Sequence, residues 1–148
     1  MKIICHRGNT DGPNKEEENT LSHINKAIKS FDVEIDVRLK DGKLWLGHDT
    51  PQEEASVEWI NSNKNKLWIH CKDIESLNFL RSLGIDLNFF GHENDGFVLT
   101  SKNYIFALPS EAEKIPSERT IFVMPEFFKY NKDIKRGGVL TDYPLNYV

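Results

Sequence analysis

The sequence predicts an α/β fold, a largely parallel sheet with helices packed outside it, and three observations carry the prediction. Short apolar runs alternate with helix-period segments through the first half of the chain, in a strand, helix, strand order that requires crossover connections. Residues able to do chemistry fall at the C-terminal ends of those runs, where the loops of α/β folds gather around a ligand. A length of 148 residues suits one domain with a real core, yet is short for a closed barrel with eight full-length helices.

Ile3 to His6 is an apolar run ending in His6-Arg7-Gly8 and opening into a polar loop, the pattern of a strand and the turn that leaves it. Leu21, Ile24, Ala27, Ile28 and Phe31 recur at spacings of three and four, an amphipathic helix begun by the capping residues Glu18-Asn19-Thr20. His23 falls on the polar face and reads as a surface histidine. Val33, Ile35 and Val37 then alternate with Glu34, Asp36 and Arg38, so both carboxylates share one strand face, an arrangement that suits a cation. Lys40-Asp41-Gly42 turns the chain, and Leu44-Trp45-Leu46 runs back to His48-Asp49. Local structure alone therefore brings a histidine near the acidic pair, although the same pattern also describes a hairpin with a solvated charged face.

Val57 to Asn61 reads as a short helical segment. Leu67 to Lys72 reads as a strand with Trp68, His70 and Lys72 on one face. Asp73 caps a second helix with Ile74, Leu77, Leu80 and Leu83 as its apolar face, stopped at Gly84. Beyond it, Leu87 to Phe90, Phe97 to Thr100 and Tyr104 to Leu108 are separated by segments too short for helices, and Asn94-Asp95-Gly96 is a turn signal. A hairpin or meander is therefore expected inside the otherwise parallel order. Thr120 to Met124 and Gly138 to Thr141 add strands, for seven or eight in all, with no clear element from Phe127 to Arg136.

A net charge of −4 and the absence of a basic run argue against a nucleic-acid partner. No apolar stretch reaches membrane-spanning length and no leader pattern opens the chain, so a soluble, cytoplasmic protein is expected. Cys5 and Cys71 lie singly in apolar runs, without the spacing of a zinc site or a disulfide framework, and read as reduced packing residues. Trp45, Trp59 and Trp68 could stack on a sugar but read first as buried aromatics. His6, Glu34, Asp36, His48, His70, Glu93, Glu126 and Asp142 all fall at or just past strand ends. Taken singly each is weak; His92, for instance, reads as a packed or hydrogen-bonded residue.

Together they resemble the glycerophosphodiester phosphodiesterase family, one of the phospholipase C-like phosphodiesterase barrels. The match runs through His6-Arg7-Gly8, Glu18-Asn19-Thr20, Glu34-Ile35-Asp36-Val37, Lys40-Asp41-Gly42, His48-Asp49, the strand ending in Lys72, and Gly138-Val139-Leu140-Thr141-Asp142-Tyr143-Pro144. The first fifty residues carry most of it, and residues 85–135 match poorly. The resemblance implies a single domain over residues 1–148, a TIM-type (β/α) barrel that is reduced or partly open, with short or missing helices in its second half. It implies a metal-dependent phosphodiester hydrolase acting on a glycerophosphodiester or similar alcohol-phosphate linkage. His6 and His48 would be the acid–base pair, His6 as base and His48 as acid or the reverse. Arg7 and Lys72 would hold the phosphate, and Glu34, Asp36 and His70 the divalent cation.

This chain departs from the family at three points. His70 stands where the family has a glutamate, which removes a negative charge and tilts the site from magnesium or calcium toward manganese or zinc; Glu93 and Glu126 are alternative carboxylates. Glu17 stands where a proline usually precedes Glu-Asn-Thr. The chain is also short and lacks the insertion that often covers the substrate, so a shallow, exposed site is expected. A non-catalytic phosphate or sugar-phosphate binder on the same scaffold is the competing expectation, and the edge strands of an incomplete barrel leave an oligomer open.

Overall fold

The computed structural model describes residues 1–148. Its centre is β1 (Lys2–His6), a strand buried on both faces: Ile4 points to one apolar cluster and Cys5 to another. On one side lie β2 (Asp32–Lys40), β5 (Leu67–Cys71) and β6 (Phe89–Phe90), on the other β10 (Gly138–Thr141), β9 (Thr120–Val123) and β8 (Ile105–Ala107), all parallel to their neighbours. The expected departures from parallel order are present. β3 (Lys43–Leu46) folds back on the far end of β2, β4 (Glu53–Glu54) on β3, and β7 (Phe97–Leu99) on β8, each antiparallel. The hairpin in the second half turns at residues 100–103, where Asn103 has φ +62°, rather than at Asn94-Asp95-Gly96.

The sheet curls until its rims meet. Phe106 of β8 stacks on Trp68 of β5 at 5.4 Å and packs against Phe90 of β6 at 4.9 Å. No strand pairing joins β6 to β7 or β8. Ser101 spans the seam instead: its N–H donates to the Phe89 carbonyl, and its hydroxyl accepts from the Phe89 N–H and donates to the Leu87 carbonyl. The result is a partial barrel, not a complete eight-stranded ring.

The period of two along each strand separates two cores. Val33, Ile35, Val37, Leu67 and Ile69 face outward and pack under α1 (Leu21–Ala27), α2 (Val57–Ser62) and α3 (Ile74–Ser82). Ile4, Trp68, Phe90, Phe106, Ile121 and Leu140 fill the inside. Each fully buried isoleucine contributes enough that truncation to alanine should cost about 2–5 kcal/mol. Both cysteines are free and buried, and burial pushes each thiol up to about 12, which leaves them inert packing groups.

Several elements differ from expectation. There are ten strands; the two-residue β4 has no apolar pattern to announce it. α1 ends at Ala27, and Ile28 and Phe31 pack from the turn that follows. Ile74 is 71 % exposed, and Ser76 takes its place against the sheet because its hydroxyl donates to the carbonyls of Asp73 and Val37. After α3 the only α-helix is α4 (Pro109–Ala112), followed near the C-terminus by a 3-10 turn (Pro144–Tyr147), and no regular element forms from Phe127 to Arg136. No helix is long and apolar enough to cross a membrane.

Candidate active site

The inside-facing positions of adjacent strands come into register one pair at a time: His6 lies beside Glu34, and Asp36 beside His70. These four, with Arg7 and His48, line one cavity of about 160 Å³ at the C-terminal end of the sheet. The sequence thus places six of its seven candidate residues in a common pocket. The seventh, Lys72, is absent from that lining; it borders a neighbouring cleft with Asp73, Leu77, Gly91 and Glu93.

Arg7 enters the pocket because its backbone adopts φ +53°, with its N–H bonded to the Glu34 carbonyl. Left-handed geometry in a non-glycine residue is uncommon and concentrates at functional sites. Its Nη1 donates to Glu18 Oε2 at 3.1 Å, and its Nε lies 2.9 Å from Asp36 Oδ2, an ion pair without the alignment of a hydrogen bond. Asn19, also left-handed at φ +56°, clamps Asp36 reciprocally: Asn19 Nδ2 donates to Asp36 Oδ2, and the Asp36 N–H donates to Asn19 Oδ1. Burial opposes the charge on Asp36, but His70, Arg7 and Asn19 together hold its carboxyl well below the usual range.

Glu34, Asp36 and His70 form a cluster whose donor atoms all lie within 4.8 Å of one another. His70 Nδ1 is 3.2 Å from Asp36 Oδ1 and 3.7 Å from Glu34 Oε1. Burial lowers the His70 pKa, yet the two carboxylates outweigh it and raise it to about 9. Glu34 Oε2 and His70 Nε2 are buried without a partner, the kind of orphan atom that an additional ligand would satisfy. Two carboxylate oxygens and one imidazole nitrogen at this spacing are a donor set that could hold a divalent cation. Neither alternative carboxylate joins them: Glu93 is exposed in the neighbouring cleft, and Glu126 Oε1 accepts from Thr141 Oγ1 and the Asp142 N–H.

No protein-family sequence model matches the chain, and no curated protein matches it by sequence. Its structure does match a solved one: glycerophosphodiester phosphodiesterase from Agrobacterium tumefaciens str. C58, over 97 % of this chain and 95 % of that one, with a TM-score of 0.54 and 15 % identity. The two share a fold. At that identity the likeness speaks for the architecture, and the chemistry rests on the side chains themselves.

Each candidate acid–base histidine is oriented by a carboxylate. His6 Nδ1 lies 2.8 Å from Asp142 Oδ1, and His48 Nδ1 lies 2.7 Å from Asp49 Oδ1. Burial presses the His6 pKa down, but the bond to Asp142 and the nearby Glu34 charge prevail and raise it. Asp142 is buried, which opposes its charge, and His6 and Asn9 nonetheless hold its carboxyl below the usual range. An ionised Asp142 can only accept, so His6 Nδ1 carries the hydrogen and neutral His6 has its lone pair on Nε2. His48 is more open, with its side chain 39 % exposed. It is placed by Gly47 before it, where an added Cβ would lie 1.8 Å from the Thr50 carbonyl oxygen, and by Arg38, whose guanidinium donates to the His48 carbonyl.

The supporting residues were the harder part to read from sequence. Glu18 and Asn19 pass for capping residues, but only Thr20 caps α1; the other two are buried in the site. Asn9, fully buried, donates to both Glu18 Oε1 and Asp142 Oδ1. His23 is a correction: it is not a surface histidine but is mostly covered, its Nε2 bonded to Asn9 Oδ1 and its ring packed over Gly8. His92 stacks flat on His70 at 4.8 Å and lines the cavity, with Nδ1 buried and unpartnered. A run from Asp142 through Asn9, Glu18, Arg7 and Asp36 to His70 therefore ties the first histidine to the cation cluster. Of the tryptophans, Trp68 is buried in the inner core and donates to Asp32, Trp59 is half-buried and donates to Asn25, and Trp45 is half-buried. None lines the cavity.

Proposed function

We propose that the protein is a metal-dependent phosphodiester hydrolase, acting on a glycerophosphodiester or a similar alcohol-phosphate linkage by two-histidine acid–base chemistry. The observation that carries the reading is the common cavity in which two carboxylate-oriented histidines face an arginine and a carboxylate–imidazole cluster. A phosphodiester resists attack because its anionic oxygens repel a nucleophile, so positive charge must be fixed where negative charge grows. Arg7 carries five guanidinium hydrogens and spends one on Glu18, leaving others for a phosphoryl oxygen. Glu34, Asp36 and His70 would hold the divalent cation, which when bound supplies Lewis-acid stabilisation of the phosphoryl oxygens.

His6 Nε2, the free lone pair, takes a proton from the attacking water. His48 donates one to the departing alkoxide. The bond from phosphorus to the leaving oxygen breaks as the bond to water oxygen forms, and the products are an alcohol and a phosphomonoester. The Asp142 contact supports His6 as the base, since it leaves Nε2 free of hydrogen in the neutral ring; His48 has the equivalent contact with Asp49, so the reverse assignment uses the same geometry.

The test is turnover of bis(p-nitrophenyl) phosphate with manganese, zinc, magnesium or calcium. EDTA should abolish it, and His6→Ala and His48→Ala should each lower kcat by roughly a hundredfold or more. Residual activity in the double variant equal to that of the native chain would refute the reading, and saturable glycerol-phosphate binding without turnover would favour the non-catalytic binder on this scaffold.

A further inference from the structure

The cavity is divided by polarity. Its charged and ionisable groups come from β1, β2, β5, the loop after β3 and, with His92 and Asp95, the loop between β6 and β7, whereas the wall contributed by β8, β9 and β10 consists of Phe106, Ala107, Leu108, Val123, Met124 and Leu140. That wall offers no polar side chain. Met124 reaches it from a left-handed backbone, φ +49°, fixed by a hydrogen bond from its N–H to the Leu140 carbonyl. At the mouth the apolar surface continues outward: Phe97, which also lines the cavity, is 60 % exposed, and Phe128, bordering the other side of Leu108, is 47 % exposed. A glycerol or sugar pressed against this wall would lose hydrogen bonds to water and gain none. A hydrocarbon would lose nothing and would cover exposed apolar surface.

From this split we infer that the ligand is an amphiphilic phosphoester, one of whose alcohols carries an alkyl or acyl chain that runs along the β8–β10 wall and leaves over Phe97. The inference rests on the hydrolase reading only for the position of the phosphate, beside Arg7 and the cation cluster. At about 160 Å³, the cavity is close in volume to those of about 150 Å³ that hold one benzene-sized group, but it is open at its mouth. It therefore accepts the phosphoryl group and a few carbons, and the remainder of the chain lies on the rim.

The experiment is calorimetric titration of the full chain, with manganese present, by n-alkyl phosphates from ethyl to octyl and by the matching n-alkanols. Burial of a methylene strengthens binding by roughly twofold to fourfold depending on how fully it is covered. The dissociation constant should fall by that factor per carbon through about hexyl. Phe97→Ser, at an exposed position, should flatten the outer part of the series, and Met124→Gln the inner part. A constant affinity along the series, no binding of any member, alkanols binding as tightly as the phosphates, or a slope unchanged in both variants would each overturn the inference. Turnover of bis(p-nitrophenyl) phosphate separates the two claims: turnover with a flat series removes the amphiphile alone, and a rising series without turnover removes the hydrolase alone.

Discussion

Asp142→Asn isolates the contact on which the assignment of His6 depends. The substitution keeps the shape of the side chain but replaces a charged acceptor that now serves both His6 Nδ1 and Asn9 Nδ2, each at 2.8 Å. A hydrogen bond to a charged group contributes about 1.5–3 kcal/mol, and with Asp142 buried and His6 largely covered the expected stability loss lies in that range. The loss should depend on pH with a definite sign. His6 has a raised folded pKa, so its share is full below about 6.5 and disappears as pH rises through the folded value; Asp142 has a lowered one, so its share is full above about 3.9 and disappears as pH falls through the folded value. Native and variant chains should therefore differ most between about pH 4 and 6.5. Titration of the His6 ring by NMR should show its pKa falling once burial is less opposed. Turnover should drop by about 10²–10⁴-fold with little change in KM, because the imidazole loses its enforced tautomer. An unmoved His6 titration, or kcat within threefold of native, would show that Asp142 does not orient the base.

Three other outcomes follow from the same geometry. Gly47→Ala forces a Cβ against the Thr50 carbonyl at a left-handed backbone, so thermal melting should show a loss of about 1–3 kcal/mol, and an unchanged Tm would contradict the close approach. Glu34→Gln and His70→Ala should each weaken manganese binding, read by calorimetry, by at least about tenfold; equal affinity in both would remove the proposed cation site. Cys5 and Cys71, with thiols pushed up to about 12, should resist Ellman's reagent at pH 8 and react fully in denaturant, and rapid labelling of the native chain would place them outside the core.

What the sequence made legible is what local periodicity encodes. Alternation fixed the inward face of β2, so Glu34 and Asp36 emerge together, and the short turn at Asp41-Gly42 brought His48 to the same rim. The contacts between distant positions were not legible, because nothing local in Asn9 or Glu18 reports that the first will donate to a carboxylate 133 residues away or that the second will hold an arginine. Lys72 illustrates the limit from the other side. The period of two puts it on the same strand face as His70, but β5 ends at Cys71 and the chain has turned toward Asp73 before Lys72 can reach the cavity. Ten strands rather than seven or eight, and Ile74 in solvent rather than in the core, arise where elements are too short for a pattern or where a buried hydroxyl outcompetes an aliphatic neighbour.

The seam between β6 and β8 has a thermal consequence. Everywhere else the wall is joined by strand ladders, whereas here one serine and a set of aromatic rings, Trp68, Phe90 and Phe106, draw the rims together. Ring packing draws its strength from the expulsion of water, which fades as the temperature falls, while ladder hydrogen bonds do not share that dependence. Chilling should thus loosen the cylinder along this line first, so that amide exchange at Phe89 and Ser101 gains on exchange in β1 as the solution approaches freezing.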